Sequence, residues 1–370
     1  MSVNHPFRQS QNTATCEVAL QTQLPKSGTT SVVLYDASRQ QDWHTFVNTS
    51  PLTVFAHHLG WKSVVEETFG HQAIYLMAYC QERLVGILPL FLVRSMLFGR
   101  FLVTSPFLTF GGIACEDADA TKALIARAMQ IARDYCVDYV EVRNEKPCEF
   151  LPYTKTQYYT LMLDLTSGED EIWHSLLRPT ARRNVRKALK AGLKLVEGQR
   201  YLDAFADINA SNMHRLGTPA HSPSFFYNIM KYFPQSTLLM LRSGHTFIGG
   251  MLLVRFKEML LMPWVASLPE YFHMRPNNLL YWEAIARACR DGLRNFDFGR
   301  SKWDSGTFRF KRQFGAQPVP LYYQYYLHQA HQVPDVDPDT TTFMPLMTLW
   351  RKLPISLVKV LGPRIIRWIP

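Results

Sequence analysis

The chain has 370 residues, room for two or three domains. Its 47% hydrophobic content supports buried cores, yet no run of about eighteen apolar residues reads as a transmembrane helix, and the polar start, MSVNHPFRQSQNTATCEVALQTQLPKSG, is expected to carry no secretory signal. A net charge of +10 and a pI near 9.3 favour anionic partners (phosphate, nucleic acid or acidic lipid) without choosing between them.

The six cysteines, Cys16, Cys80, Cys115, Cys136, Cys148 and Cys289, form no CxxC pair and have no metal-like spacing with histidine. They are expected to be reduced thiols on the cytosolic side, with no metal site.

Residues 1–30 lack periodicity and are rich in Ser, Thr and Gln, which predicts disorder. Order is expected to begin with a strand at Ser31–Asp36, then helices over Gln40–Val47 and His57–Phe69. Ala73–Cys80 and Val85–Ser95 read as two strands joined by a tight polar turn, and Arg100–Ala114 as a third strand ending in Gly111-Gly112. Ala118–Cys136 is an amphipathic helix with Leu124, Ala128, Ile131 and Ala132 on one face, and Asp138–Asn144 the strand after it. The second half repeats this order. Helical segments EDEIWHSLL and TARRNVRKALKA precede a strand at Leu193–Gly198 and the helix LDAFADINASNMHRL. Paired strands over Ser236–Phe256, the strand EMLLMPWVAS, a helix over Asn277–Gly292 and a strand over Arg294–Arg300 follow. The recurrence predicts a duplicated α/β unit.

Three stretches carry a family resemblance: LRPTARRNVRKALKAGLKL (Leu177–Leu195), RPNNLLYWEAIARACRDGLRNFDFGRS (Arg275–Ser301) and SGTFRFKRQFGAQPVPLYYQYY (Ser305–Tyr326). The chain resembles the FemAB-like acyltransferases of the GNAT fold over roughly Val32–Tyr326, and within them the FemAB-related proteins of the exosortase/PEP-CTERM exopolysaccharide type. The resemblance implies an α/β (α+β) chain with two tandem GNAT-like domains, each a mixed twisted sheet flanked by helices. The expected organisation is a disordered segment at 1–30, domains at 31–160 and 161–330, and a linker with a basic amphipathic tail at 331–370. It implies transfer of an acyl or aminoacyl group, by direct attack, onto an amine or hydroxyl of a cell-envelope or exopolysaccharide glycan precursor. The alternatives are a CoA-dependent N-acetyltransferase of a small amino sugar and a silent membrane-associated scaffold in polysaccharide assembly. Neither FGGIACEDADAT nor SLPEYFHMRPNN is a glycine-rich pyrophosphate loop, so the donor stays open between aminoacyl-tRNA and acyl-CoA, with no tightly bound cofactor.

Four groups of residues are candidates for the chemistry. Arg182, Arg183, Arg186 and Lys187 lie on one wide face of the helix Ala181–Ala191, with Ala181, Val185, Ala188 and Leu189 opposite. They are expected to hold the phosphate of an anionic glycan precursor, a nucleotide-sugar or tRNA. Arg275, Asn277, Asn278 and Arg300 are the expected donor-binding residues, with Asn277 or Asn278 capping the helix and its free N–H groups favouring an anion. Taken as extended, the third stretch places Arg309 and Lys311 on one face and Phe308, Phe310 and Arg312 on the other. Lys311 matches the family's lysine near the transfer site, and Lys311, Asp297 and Arg309 are the expected catalytic residues, Asp297 as a base. The acid-free tail Phe343–Pro370, with Arg351, Lys352, Lys359, Arg364 and Arg367 among aliphatics and broken by prolines, is expected to lie on an anionic membrane surface. That places the protein in the cytoplasm, peripheral to the inner face of the inner membrane.

Overall fold

The computed structural model describes residues 30–96, 98–335 and 344–369. Residues 1–29 of the segment expected to be disordered, Cys16 among them, and the tail residues Phe343 and Pro370 lie outside the described residues.

The first half opens with β1 (Ser31–Leu34), α1 (Gln40–Thr49) and α2 (Leu59–Phe69). Then come β2 (Gln72–Cys80), β3 (Arg83–Ser95), β4 (Gly99–Val103), the short β5 (Ala114–Cys115), α3 (Ala118–Asp134), β6 (Tyr139–Asn144) and β7 (Tyr153–Lys155). The second half runs β8 (Tyr158–Asp164), α4 (Gly168–Glu171), a π-helical turn at Ile172–Leu176, α5 (Pro179–Lys190), β9 (Lys194–Glu197), α6 (Leu202–Leu216) and α7 (Pro223–Tyr232). It continues with β10 (Thr237–Ser243), β11 (Thr246–Phe256), β12 (Met259–Ser267), α8 (Pro276–Arg290), β13 (Asn295–Lys302), α9 (Gly306–Arg312), β14 (Gln317–Pro320) and β15 (Tyr322–Leu327). The tail forms α10 (Met344–Lys352) and α11 (Ile355–Ile366).

Two mixed sheets result, ordered β1-β2-β3-β4-β6-β15-β7, with β5 beside β3, and β14-β8-β13-β12-β11-β10-β9. Each has one parallel pair made by a helical crossover, β4–α3–β6 and β12–α8–β13, because parallel neighbours need a long connection. The central strands are apolar on both faces because both faces are covered. In β2 and β3, Ile74, Leu76, Leu88 and Leu90 pack on α3, while Tyr75, Met77, Ile87 and Phe91 join a second core. That second core unites the halves: Trp43 of α1, Trp61 of α2, Phe205 of α6, Phe225 of α7 and Trp264 of β12 belong to it. Trp61 and Trp264 stack with centroids 6.4 Å apart, and Lys257 Nζ donates to Ser50 O and Thr53 Oγ1, each at 2.6 Å, across the boundary.

Three expectations are corrected. The strand expected over Arg100–Ala114 stops at Val103, because Pro106 cannot donate to a ladder and Ser105 and Phe107 take positive φ of 45° and 65°. Tyr322–Leu327, expected within the 161–330 domain, instead adds to the first sheet between β6 and β7. There Tyr323 and Tyr325 bury against Phe101 and Tyr139. Residues 306–312, read as extended, are helical. Ser305 accepts a hydrogen bond from Phe308 N at the helix start, and Phe308 and Lys311, one helical turn apart, are the buried pair.

Candidate active site

Strands β12 and β13 run parallel for three pairs, Met259–Asn295 to Leu261–Asp297, and then diverge. Their divergence opens a cleft of about 350 Å³ whose other wall comes from the first half. Met262 and Pro263 of β12, Asp297 to Arg300 of β13 and Lys311 of α9 face Phe107–Phe110 and Arg143.

A bulge aims the charged groups. The ladder of β13 on β8 slips between Asp297 and Arg300, and Gly299 there has φ +72°, a conformation that favours glycine. The Gly299 N–H donates to Asp297 Oδ1 at 2.8 Å, and Thr160 Oγ1 donates to the same oxygen at 2.5 Å. Lys311 Nζ donates to the carbonyls of Gly299 at 2.8 Å and Arg300 at 3.0 Å. Asp297 is 3% and Lys311 6% exposed. Burial pushes Lys311 down to about 8, with the Asp297 charge opposing the shift and Arg300 adding to it. Burial raises Asp297, against the Thr160 and Gly299 hydrogen bonds and the Lys311 charge.

Arg300 lies deep between the halves yet stays solvent-accessible, because the cleft opens onto it. Its Nη1 donates to the Tyr323 hydroxyl at 2.9 Å, and its guanidinium sits 4.4 Å from the Tyr158 ring centroid. Beside it Arg143, 3% exposed, pairs with Glu141 at 2.7 Å and donates to Leu108 O at 3.0 Å. The sequence reading missed Arg143, Glu141, Thr160, Tyr158 and Tyr323. A signal existed for two of them: in YVEVRN, Glu141 and Arg143 stand two apart on one face of an otherwise apolar strand, which marks an internal ion pair.

The equivalent divergence in the first half, after the pair Val103–Glu141, is closed by its own loop. Gly111 N donates to Arg143 O at 3.1 Å, Ile113 N to Asn144 Oδ1 at 3.0 Å, and His57 Nε2 lies 3.0 Å from Gly112 O. At α3, Asp117 caps and Asp119 follows in the first turn, so that helix start repels an anion. The first turn of α8 has no acid. A smaller cavity of about 320 Å³ beside this loop is lined by Glu145, whose carboxyl the surrounding chain and the Asp297 charge raise to about 7 although the residue keeps solvent exposure.

The structure therefore brings Lys311, Asp297 and Arg300 together and separates them from the other candidates. Arg309 does not join the catalytic group: it is exposed on the outer side of α9 and pairs with Asp304 at 3.7 Å. At α8 the N-cap is Arg275, exposed and with φ 63°, rather than an asparagine, because Pro276 occupies the first helical position, where no N–H is needed. Asn277 Oδ1 accepts from Ser267 Oγ at 2.7 Å, while Asn278 Nδ2 is buried without a partner among the described residues. On α5, Arg182 Nη1 donates to the carbonyls of Trp173, His174 and Leu177, which spends it on closing the π-helical turn. Arg186 lies 5.6 Å from the Trp173 ring, and Arg183 and Lys187 are exposed. None of the four lines the cleft. Leu189, expected on the apolar face, is 53% exposed, since Ala181, Val185 and Ala188 make the contact.

Residues 175–312 match the family described as an acetyltransferase (GNAT) domain, the half that carries the open cleft. Among curated proteins, none matches the chain in sequence. Among solved structures, FemX is similar with a TM-score of 0.62 at 15% identity, over 81% of this chain and 98% of that one. A tandem GNAT protein from the clavulanic acid biosynthesis pathway gives 0.53 at 12% identity, over 82% and 100%. The C-terminal domain of a candidate lysylphosphatidylglycerol synthetase from Agrobacterium fabrum gives 0.53 at 11%, over 78% and 92%. With two mixed sheets and one crossover helix in each, the chain has the GNAT fold built as a tandem pair, and the half whose cleft is open matches an acetyltransferase domain.

Proposed function

We propose that the protein transfers an acyl or aminoacyl group to an amine or hydroxyl of an anionic glycan precursor of the cell envelope or an exopolysaccharide. The observation that carries this reading is the asymmetry of the two divergences: in the first half a loop bonds back onto the end of its own strand, whereas the second half's cleft is ringed by Lys311, Asp297 and Arg300. The acceptor's nucleophile attacks the acyl carbonyl and a proton leaves it for the Asp297 carboxylate. The carbonyl electrons return as the donor's C–S or C–O bond breaks, and the leaving sulfur or oxygen takes up the proton. Lys311 and Arg300 supply positive charge where the oxyanion develops, the interaction that most lowers such barriers.

The donor enters as a co-substrate. An anionic donor fits the start of α8: the first turn carries no acid, Arg275 is exposed there, and Asn278 Nδ2 is buried with no partner among the described residues. Acyl-CoA and aminoacyl-tRNA both present such an anion. The exposed α5 cations Arg183 and Lys187 would serve the longer donor, tRNA, outside the cleft. The narrower kinship with exopolysaccharide-cluster proteins belongs to this reading, as does a peripheral position on an anionic inner-membrane surface through the tail.

Mass spectrometry of a panel of nucleotide-sugars and lipid-linked glycan precursors, incubated with either donor class, tests the proposal. A mass gain equal to the acyl or aminoacyl group is expected with wild type and not with Lys311→Ala. No gain with either donor, from folded protein, would overturn it.

A further inference from the structure

A third cavity, of about 600 Å³, adjoins the cleft, and Arg143 and Arg300 belong to the walls of both. Beyond those arginines the lining is apolar. Phe98 of the first half faces Leu346, Leu349, Leu353 and Trp368 of the C-terminal helices. Its size lies within the range of about 300–1,000 Å³ typical of small-ligand sites. At its polar end, Arg143, Arg300 and Lys155 face one carboxylate, Glu141. Arg143 is neutralised by Glu141, and Lys155 Nζ donates to Pro334 O at 2.7 Å. Arg300 has only tyrosine partners among the described residues, so it offers the free positive charge. At the mouth, Met96, Leu346 and Leu349 are 81%, 55% and 60% exposed, although Trp350 on the same helix is buried. Exposed apolar side chains rimming an apolar cavity suit a chain passing in from a bilayer or micelle.

We propose that α10 and α11 form the wall of a hydrocarbon-chain site and that the substrate is an amphiphile, its anionic head at Arg300 and its chain between the tail helices and the first sheet. This inference rests on the acyl-transfer reading for what happens to the head, but binding is measured without turnover. The chain could belong to a lipid-linked acceptor or to a long-chain acyl donor, and the experiment separates them.

Because Trp350 and Trp368 line the cavity, a bromine-labelled hexadecyl phosphate should quench protein fluorescence saturably. Hexyl phosphate should bind at least about a hundredfold more weakly, since each buried methylene adds favourable transfer energy. Hexadecyltrimethylammonium, and hexadecyl phosphate on Arg300→Gln, should each lose about tenfold, as expected for one charge-assisted contact. Leu353→Trp, which fills the cavity, should abolish quenching. Leu349→Asp, at an exposed position that tolerates change, should weaken it with an unchanged circular dichroism spectrum. Displacement of the probe by a polyprenyl phosphate and not by palmitoyl-CoA assigns the chain to the acceptor; the reverse assigns it to the donor. Displacement by neither, equal binding of the cationic amphiphile, or wild-type binding by both leucine variants would overturn the proposal. Saturable binding with no acyl transfer to any precursor would leave this site standing and remove the transfer reading instead.

Discussion

Lys311 shows how far one side chain's surroundings set its chemistry. Its ammonium is held by two carbonyls and faces a buried carboxylate, so it is not the surface-facing lysine that an extended FRFKR segment implied. Lys311→Ala should lower turnover by about two to three orders of magnitude, the usual cost of losing one oxyanion donor. Unlike an exposed lysine, it should also lower Tm by about 5 °C, because the Gly299 and Arg300 carbonyls lose their donor in a buried site. Steady-state kinetics and a melting curve check both effects. The pH dependence separates them further. Lys311 titrates near about 8, below the ordinary lysine value of 10.5, so the rate should fall as pH rises through about 8 and the cation disappears. Over that same interval the unfolded chain holds a proton that the folded one lacks, so this site makes the fold more stable as pH rises, not less. A rate lost above pH 8 together with a stability lost there would point to a different group.

At the scale of elements, the bulge in β13 and the short helix α9 place that chemistry. Gly299→Ala forces a side chain onto a backbone with φ +72°. It should cost about 1–2 kcal/mol in denaturant unfolding and depress kcat by turning Arg300 away. Ser305→Ala removes the cap of α9 and should cost about 1 kcal/mol with a smaller kinetic effect. Most elements could be read from sequence because their signals are local: α3 has one apolar stripe, β2 and β3 are joined by a two-residue turn, and Gly192 follows the end of α5 with φ +72°. The FRFKR segment misled because aromatic and basic residues alternate with period two. The cap at Ser305 and the spacing of Phe308 and Lys311 outweigh that alternation once β13 supplies a surface to pack on.

For the whole molecule, the tail is the test. It was expected as an interfacial anchor, yet it docks on both halves. His214 Nε2 lies 3.1 Å from Trp350 O, Arg351 donates to Leu216 O and Arg367 to Phe69 O, and Lys359 pairs with Asp207 at 2.6 Å. Three of its five cations (Arg351, Lys359 and Arg367) are thus engaged internally, while Lys352 and Arg364 are exposed. Val358, Gly362 and Ile366 are buried, with Gly362 closed against the Ala220 backbone. Deleting residues 344–370 should therefore reduce sedimentation with anionic vesicles and also lower Tm, whereas a free anchor would change only the first. No helix among the described residues is long and apolar enough to cross a membrane. The sequence by itself determined most of the helices and strands and the two crossover units, because periodicity, caps and turns depend on residues a few positions apart; it missed β7, β8 and α7 and read α9 as extended. Only the tertiary structure decided which divergence is open, that β15 returns to the first sheet, that Arg143 meets Arg300, and that Lys311 is buried while Arg309 is not. Those outcomes depend on strand register and on surfaces brought together from distant parts of the chain, and neither burial nor a shifted proton affinity exists until those surfaces meet.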